Sequence, residues 1–364
     1  MAKALDLAER GWGRVSPNPL VGAVVVNNGR IVGEGFHTGP GAAHAERAAL
    51  VAAGDASRDG TLFVTLEPCR HHGRTPPCTE AILGAGIRRV VYAVADPTSR
   101  AGGGGALLAE AGLEVVSGLL AEEAVRLNAP FLWRATSGRP LVLLKLALSA
   151  DGAIAAGPGE RTAISSSESW AEVHRLRAGV DAILVGRRTV ETDDPLLTPR
   201  GSPMPARNPL RVVLASEACL DTSAALVRTA RENGVLVYTS PGASTSSVTS
   251  LEALGVTVVR VPIQDDGRLD PVAVLEDLAR RDVQAVLLEG GREVAMSFLE
   301  RDLVERYHEF VAPDVLGSGA VPGPAPSPAT GLPGWRRVSD RLTGVDAYSV
   351  WERVAAYDRL MEAA

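Results

Sequence analysis

The spacing of apolar and polar residues divides the chain into short elements whose period alternates between two and about 3.6. "LVGAVVVNNGRIVGEGF" (20–36) reads as two extended runs around Asn28-Gly29, a pair able to supply the positive φ of a tight hairpin turn. "AHAERAALVAAG" (43–54) has helical spacing and closes at Gly54, a suitable C′ residue. "GTLFVTLEP" (60–68) is extended, "CTEAILGAG" (78–86) helical, and "RRVVYAVADP" (88–97) a strand closed by Pro97. "ALLAEAG", "LEVVSGLL" and "AEEAVRLNAPFLWR" continue as helix, strand and helix up to residue 134.

The polar, turn-rich "ATSGRP" (135–140) marks a boundary between domains at 1–137 and 138–364. Beyond it, the apolar strand "LVLLKLALSADG" (141–152) precedes a helix over 166–179. Strands follow at 181–186, 210–216, 235–240 and 256–262, then helix 271–281, strand 284–291 and helix 292–301. "ERYHEFVAP" (305–313) and "AYSVWERV" (347–354) read as a final strand pair, and the five-proline segment 317–334 as a loop. Alternation of this kind predicts an α/β fold with a largely parallel sheet.

Composition narrows the function. A net charge of −6 and 4% aromatic residues oppose both phosphate-backbone tracking and base-stacking platforms, so no nucleic-acid partner is expected. Three cysteines do not make a disulfide framework and fit a reducing compartment. "MAKALDLAERG" lacks the order of a signal peptide, and no apolar run approaches the ~18 residues of a membrane helix. A cytoplasmic protein with no membrane partner is the expectation. Of 37 basic residues only Lys3 and Lys145 are lysines, so a lysine in the strand 141–152 points to a positional need as much as to a snorkelling edge residue.

The chemistry concentrates in "HAE" (44–46) and "TLEPCRHHGRTPPC" (65–78). His44, Cys69 and Cys78 offer one imidazole and two thiolates, a zinc set that leaves one coordination position open, as catalytic zinc sites do. Zinc lowers the pKa of water from about 15.7 to near 7. Glu46 is placed to move the proton. Residues two apart on a helix point ~200° apart, so His44 and Glu46 serve one site only if the metal lies off the helix N-terminal end. Pro68 and Pro77 restrict the backbone before each thiol. Two inert core cysteines with a surface histidine are the alternative, against which the prolines and the polar loop argue. H-x-E followed by a proline-cysteine pair matches the zinc deaminase signature, except that eight residues rather than two separate the thiols.

With "SPNPLVGAVVV" (16–26), "KLALSADG" (145–152), "GRRTVETDDPLLT" (186–198) and "LEGG" (288–291), these stretches resemble the bifunctional riboflavin-biosynthesis deaminase/reductase family along nearly the whole chain, and the wide thiol spacing is that family's own. The resemblance implies a cytidine-deaminase-like α/β/α domain followed by a dihydrofolate-reductase-like α/β domain. It implies zinc and NADPH as cofactors, a phosphorylated pyrimidine as substrate, and a homodimer or larger homo-oligomer. His44, Cys69 and Cys78 would bind zinc and Glu46 would shuttle protons. Asn18, His37 and Arg74 would contact the pyrimidine substrate, Arg74 standing where the family usually has lysine.

In the second half, the resemblance assigns Lys145, Arg177, Leu197, Arg200 and Glu289 to the substrate. It assigns Ala147, Ala163, Thr189, Asp193, Ser216 and Gly291 to the cofactor. The residues alone say less. "EGG" (289–291) lets a pyrophosphate approach a helix N-terminus or makes an ordinary turn. "GGGG" (102–105) matches no nucleotide-binding template and reads as a flexible loop. Asp194 reads as a turn residue before Pro195. Ala163 replaces the tryptophan of the family's Trp-Ile-Thr segment, and Ala215 a frequent acidic residue. Both motivate a second reading, a deaminase with a weak or inactive reductase-like domain. A nucleic-acid base deaminase and a non-catalytic zinc-stabilised binding module are the remaining alternatives, the former opposed by the acidic charge and few aromatics.

Overall fold

In the computed structural model, which describes residues 1–73 and 76–364, Asn28 and Gly29 both take positive φ, 47° and 71°. They close the expected hairpin between β1 (Gly22–Asn27) and β2 (Arg30–Phe36). β3 (Thr61–Leu66), β4 (Arg89–Val94) and β5 (Glu114–Ser117) complete a sheet of order β2-β1-β3-β4-β5, in which β3, β4 and β5 run parallel. β1 is antiparallel to both its neighbours. The helix Ala45–Ala53 lies close on β2, and Gly35 permits it: a Cβ there would stand 2.4 Å from the Ala45 carbonyl oxygen. Ala23, Val25, Ala49, Leu62, Val64 and Ile82 fill the space between.

This sheet belongs to one of two units, which comprises Met1–Gly138 with Asp358–Ala364. The C-terminal residues are tied into it. The Ala95 N–H donates to the Ala364 carbonyl at 2.7 Å, and the Arg359 guanidinium lies 5.7 Å from the Trp133 ring centroid. The single helix expected over 121–134 is two, Ala121–Leu127 and Ala129–Ser137. Asn128 separates them with φ −101° and ψ 14°, and Pro130 opens the second, where its missing N–H costs nothing. The Asn128 amide brackets the Leu20 backbone, accepting from its N–H at 2.8 Å and donating to its carbonyl at 2.9 Å.

The second unit is Arg139–Tyr357. Its strands are β6 (Leu141–Leu148), β7 (Ala153–Ala155), β8 (Ala182–Gly186), β9 (Leu210–Leu214), β10 (Val235–Thr239), β11 (Thr257–Arg260) and β12 (Ala285–Leu288). β13 (Arg306–Val311), β14 (Val321–Pro322), β15 (Trp335–Thr343) and β16 (Asp346–Arg353) follow. Among the described residues the main sheet has nine strands in the order β11-β10-β9-β8-β12-β6-β13-β16-β15, parallel from β11 to β13 and antiparallel beyond. Central strands such as β12 are buried on both faces, as crossover helices require. β15 has no alternating apolar pattern. It is an edge strand rich in charge, which protects a sheet margin but hides the strand from a periodicity reading. The segment 317–334 is more ordered than a plain loop: β14 pairs with β7, and Ser327 caps a 3₁₀ turn over Pro328–Thr330. Among the described residues no helix is long and apolar enough to cross a membrane.

Candidate active sites

His44 is the N-cap of the helix Ala45–Ala53, Glu46 lies in its first turn, and Cys78 opens the helix Cys78–Gly84. The predicted arrangement off a helix N-terminal end is therefore present. The His44 Nδ1 is 3.2 Å from the Cys78 Sγ and 3.5 Å from the Cys69 Sγ, and the three ligand atoms lie within 4.8 Å of one another. Zn–N bonds of about 2.05 Å and Zn–S bonds of about 2.3 Å at tetrahedral angles separate N from S by about 3.6 Å, so the donor set fits zinc in both chemistry and spacing.

The Cys78 thiol and backbone N–H both donate to the Cys69 sulfur, and with the His44 ring they draw the Cys69 thiol down to about 4 against the cost of burial. The hydrogen bond to Cys69 raises the His44 pKa. Burial, at 4% exposure, pushes the Glu46 carboxyl above its ordinary value, and Cys78 hydrogen-bonds to it. On the other side of His44, the His37 ring stands edge-on at 5.8 Å between centroids. Its Nδ1–H donates to the Ala43 carbonyl at 3.2 Å, which leaves Nε2 to accept from the Asn18 amide at 2.9 Å. Asn18 and His37 thus join the metal-ligand candidates in one site. Arg74 lies outside the described residues.

The "GGGG" stretch is not a flexible loop. Gly104 begins the helix Gly104–Glu110, and a Cβ on it would fall 1.7 Å from the Pro68 carbonyl oxygen. The Glu67 carboxylate accepts from the N–H groups of Gly105 at 2.8 Å, Gly103 at 3.2 Å and Asp96 at 3.2 Å. Glycines are needed because backbone packs on backbone directly behind Cys69. Glu67 was missed because its partners are main-chain groups, which leave no trace in residue identities.

The residues assigned to the reductase chemistry all line one cleft of about 1560 Å³ within the second unit. Lys145 and Ala147 face it from β6, while Leu144 and Leu146 point to the core, as strand alternation requires. Ala163, Arg177, Leu197 and Arg200 line it as well. So do Thr189, Asp193, Ser216, Glu289 and Gly291, with Ala215 beside them. Arg177 grips Glu289 with two parallel bonds, Nε to Oε1 at 2.6 Å and a terminal nitrogen to Oε2 at 2.8 Å, both side chains being 9% exposed. Burial pushes the Glu289 carboxyl up, but the Arg177 charge and hydrogen bonds override it and leave Glu289 below the usual carboxylate range. Burial lowers the Lys145 pKa, and Glu289 opposes part of that shift. Asp194 ends the helix Arg187–Asp193 with φ 42°, consistent with its reading as a turn residue.

Two further residues shape the cleft. His174 Nδ1 accepts from the Arg200 N–H at 3.2 Å, and its position one turn before Arg177 was a usable signal. Arg211, fully buried on β9, donates to the carbonyls of Leu196 at 3.3 Å, Thr229 at 2.9 Å and Asn233, and to the Thr229 hydroxyl at 2.8 Å. It thereby pins the segment that presents Leu197, and burial draws its pKa down to about 10. An arginine in an apolar strand gave no hint of this.

Comparison with known proteins follows these lines. Residues 1–94 match the zinc-binding region of cytidine and deoxycytidylate deaminases, and residues 140–343 the RibD C-terminal domain. The riboflavin biosynthesis protein RibD of Actinobacillus pleuropneumoniae is 40% identical over 319 residues, 87% of this chain and 84% of the relative. That of Escherichia coli is 37% identical over 336 residues, 88% of each. Among solved structures, RibD of Acinetobacter baumannii superposes with a TM-score of 0.84 at 33% identity, covering 96% of this chain and 97% of the other. A diaminohydroxyphosphoribosylaminopyrimidine deaminase/5-amino-6-(5-phosphoribosylamino)uracil reductase of Thermotoga maritima gives 0.83 at 35% identity, covering 97% of each.

Proposed function

The chain belongs to the RibD family of bifunctional riboflavin-biosynthesis enzymes, and we propose that its two units divide the two reactions between them. It is a deaminase joined to a reductase, with zinc and NADPH as cofactors. The first unit hydrolyses the 2-amino group of 2,5-diamino-6-ribosylamino-4(3H)-pyrimidinone 5′-phosphate and releases ammonia. The second reduces the ribosyl group of the resulting uracil to a ribityl chain.

His44, Cys69 and Cys78 would hold the zinc, which would supply Lewis acidity toward water at neutral pH. Glu46 takes a proton from the attacking water on its carboxylate and returns it to the departing nitrogen. Its raised pKa, set first by burial, suits a group that must both accept and donate. Asn18 and His37 orient the pyrimidine through a fixed tautomer, and Arg74 contributes a cation to the same substrate. In the second unit NADPH, when bound, would supply the hydride. Arg177 and Arg200 hold the phosphate, Glu289 and Lys145 set the charge around the ribosyl carbon, and Leu197 packs against the substrate. Ala147, Ala163, Thr189, Asp193, Ser216 and the backbone at Gly291 bind the cofactor. The observation that carries this reading is the convergence of one imidazole, two thiols and a buried carboxyl in the first unit.

The test is incubation of the purified protein with the diaminopyrimidine phosphate, with and without NADPH, followed by mass spectrometry. Ammonia and the aminouracil form without NADPH, and the ribityl product forms with it. Failure of the second step alone would favour the reading in which the reductase half is inactive, which Ala163 and Ala215 motivate. We also propose a cytoplasmic homodimer or larger homo-oligomer without a nucleic-acid partner. The acidic charge and three free cysteines support the setting, and sedimentation tests the assembly.

A further inference from the structure

Aromatic residues are only 4% of this chain, and all but one of those among the described residues are buried or partly buried. Trp170 is the exception. Among the described residues it is the one aromatic side chain in the exposed class of large hydrophobics, at 42% exposure, and it faces the reductase cleft rather than a plain outer surface. It sits on the helix Ser167–Ala178 one turn before His174 and two before Arg177, so all three share a face. Lys145 Nζ lies 5.5 Å and Arg177 Cζ 6.0 Å from the indole centroid, and the His174 ring lies 6.2 Å away at a 38° tilt.

Leaving an indole half in water forfeits burial that a protein interior would reward, so the position calls for an occupant. We propose that Trp170 is a specificity-determining residue of the reductase cleft, its indole stacking on the pyrimidine ring of the deaminated substrate; this rests on the reductase reading above. Its ring neighbours decide which planar group it receives. Lys145 and Arg177 are on the substrate side of the cleft, and His174 holds the backbone of Arg200 there. A flat, polar uracil with hydrogen-bonding edges can lie on the indole while the neighbouring cations and Glu289 meet its edge and its phosphate. Contacts of this type between a base and an aromatic side chain amount to roughly 5- to 150-fold in affinity.

The experiment compares Trp170→Ala and Trp170→Phe in the full-length enzyme. For Trp170→Ala, KM for 5-amino-6-(5-phosphoribosylamino)uracil should rise on the order of tenfold, with KM for NADPH unchanged, and Trp170→Phe should recover most of the loss. Ribose 5-phosphate, which carries the phosphate but no pyrimidine, should inhibit wild type and Trp170→Ala equally. Titrating the aminouracil without NADPH should quench wild-type tryptophan emission more than that of Trp170→Phe. Equal weakening of both ligands would reassign the indole to holding Arg177, and an altered KM for NADPH would reassign it to the cofactor. Either result, or an identical quench in the two proteins, overturns the proposal. If the wild type does not oxidise NADPH with this substrate, the reductase reading fails separately, and the emission titration still decides whether the pyrimidine stacks on Trp170.

Discussion

The first unit draws its metal-ligand candidates from positions 44 to 78, on two helix starts and the loop after one strand, and everything distinctive about them is chemical. The second draws its cleft from positions 145 to 321, across strands and helices that meet only in three dimensions, and its residues are individually ordinary. Ligating a soft metal requires sulfur and imidazole, which are rare enough to be conspicuous. Binding a phosphate and a dinucleotide requires arginines, hydroxyls and backbone, which occur everywhere. One site can therefore be recognised from residue types, and the other only from their assembly.

If the two sites are chemically independent, removing the metal should separate them. Chelation, or Glu46→Gln with its zinc retained, should lower ammonia release by about 10²–10⁴-fold. NADPH oxidation with pre-deaminated substrate should persist, as coupled ammonia and absorbance assays would show. Loss of both activities would tie the reductase to the metal.

In the second unit, Glu289→Ala leaves the Arg177 charge buried without its partner. It should destabilise that unit by about 3–5 kcal/mol in urea unfolding. Glu289 is held below its ordinary pKa in the folded state, so its contribution is present above the unfolded value of about 4.3 and is lost as pH falls through the folded value. The deficit of the variant should accordingly shrink in acid, and an undiminished deficit at low pH would show that the pair is not its source.

Gly104→Ala probes the support behind Cys69. The added carbon meets the Pro68 carbonyl, so a loss of about 1–3 kcal/mol and weaker zinc retention in competition with a chelator are expected, with the reductase untouched. Normal zinc retention would separate that glycine from ligand positioning. The smallest effect concerns the helix bearing Trp170 and Arg177. Ser166 caps it by accepting from the Ser169 N–H, and Ser166→Ala should cost about 1 kcal/mol, read as a shift in the thermal midpoint.

Local sequence determined much of this protein. The Asn28-Gly29 turn, the alternation of strands and helices, and the His-x-Glu and two proline-cysteine pairs follow from period, turn chemistry and donor type, all properties of neighbours in the chain. Tertiary structure decided the rest. It placed Gly104 at a close-packed helix start behind Cys69, put Arg211 under the Leu197 segment, and broke one predicted helix at Asn128. It also returned the chain's end to the first unit and turned Trp170 into the cleft beside Lys145, His174 and Arg177. Each of these depends on hydrogen bonds to main-chain atoms or on contacts between residues distant in sequence, and neither is written in the identity of a residue or the period of its neighbours.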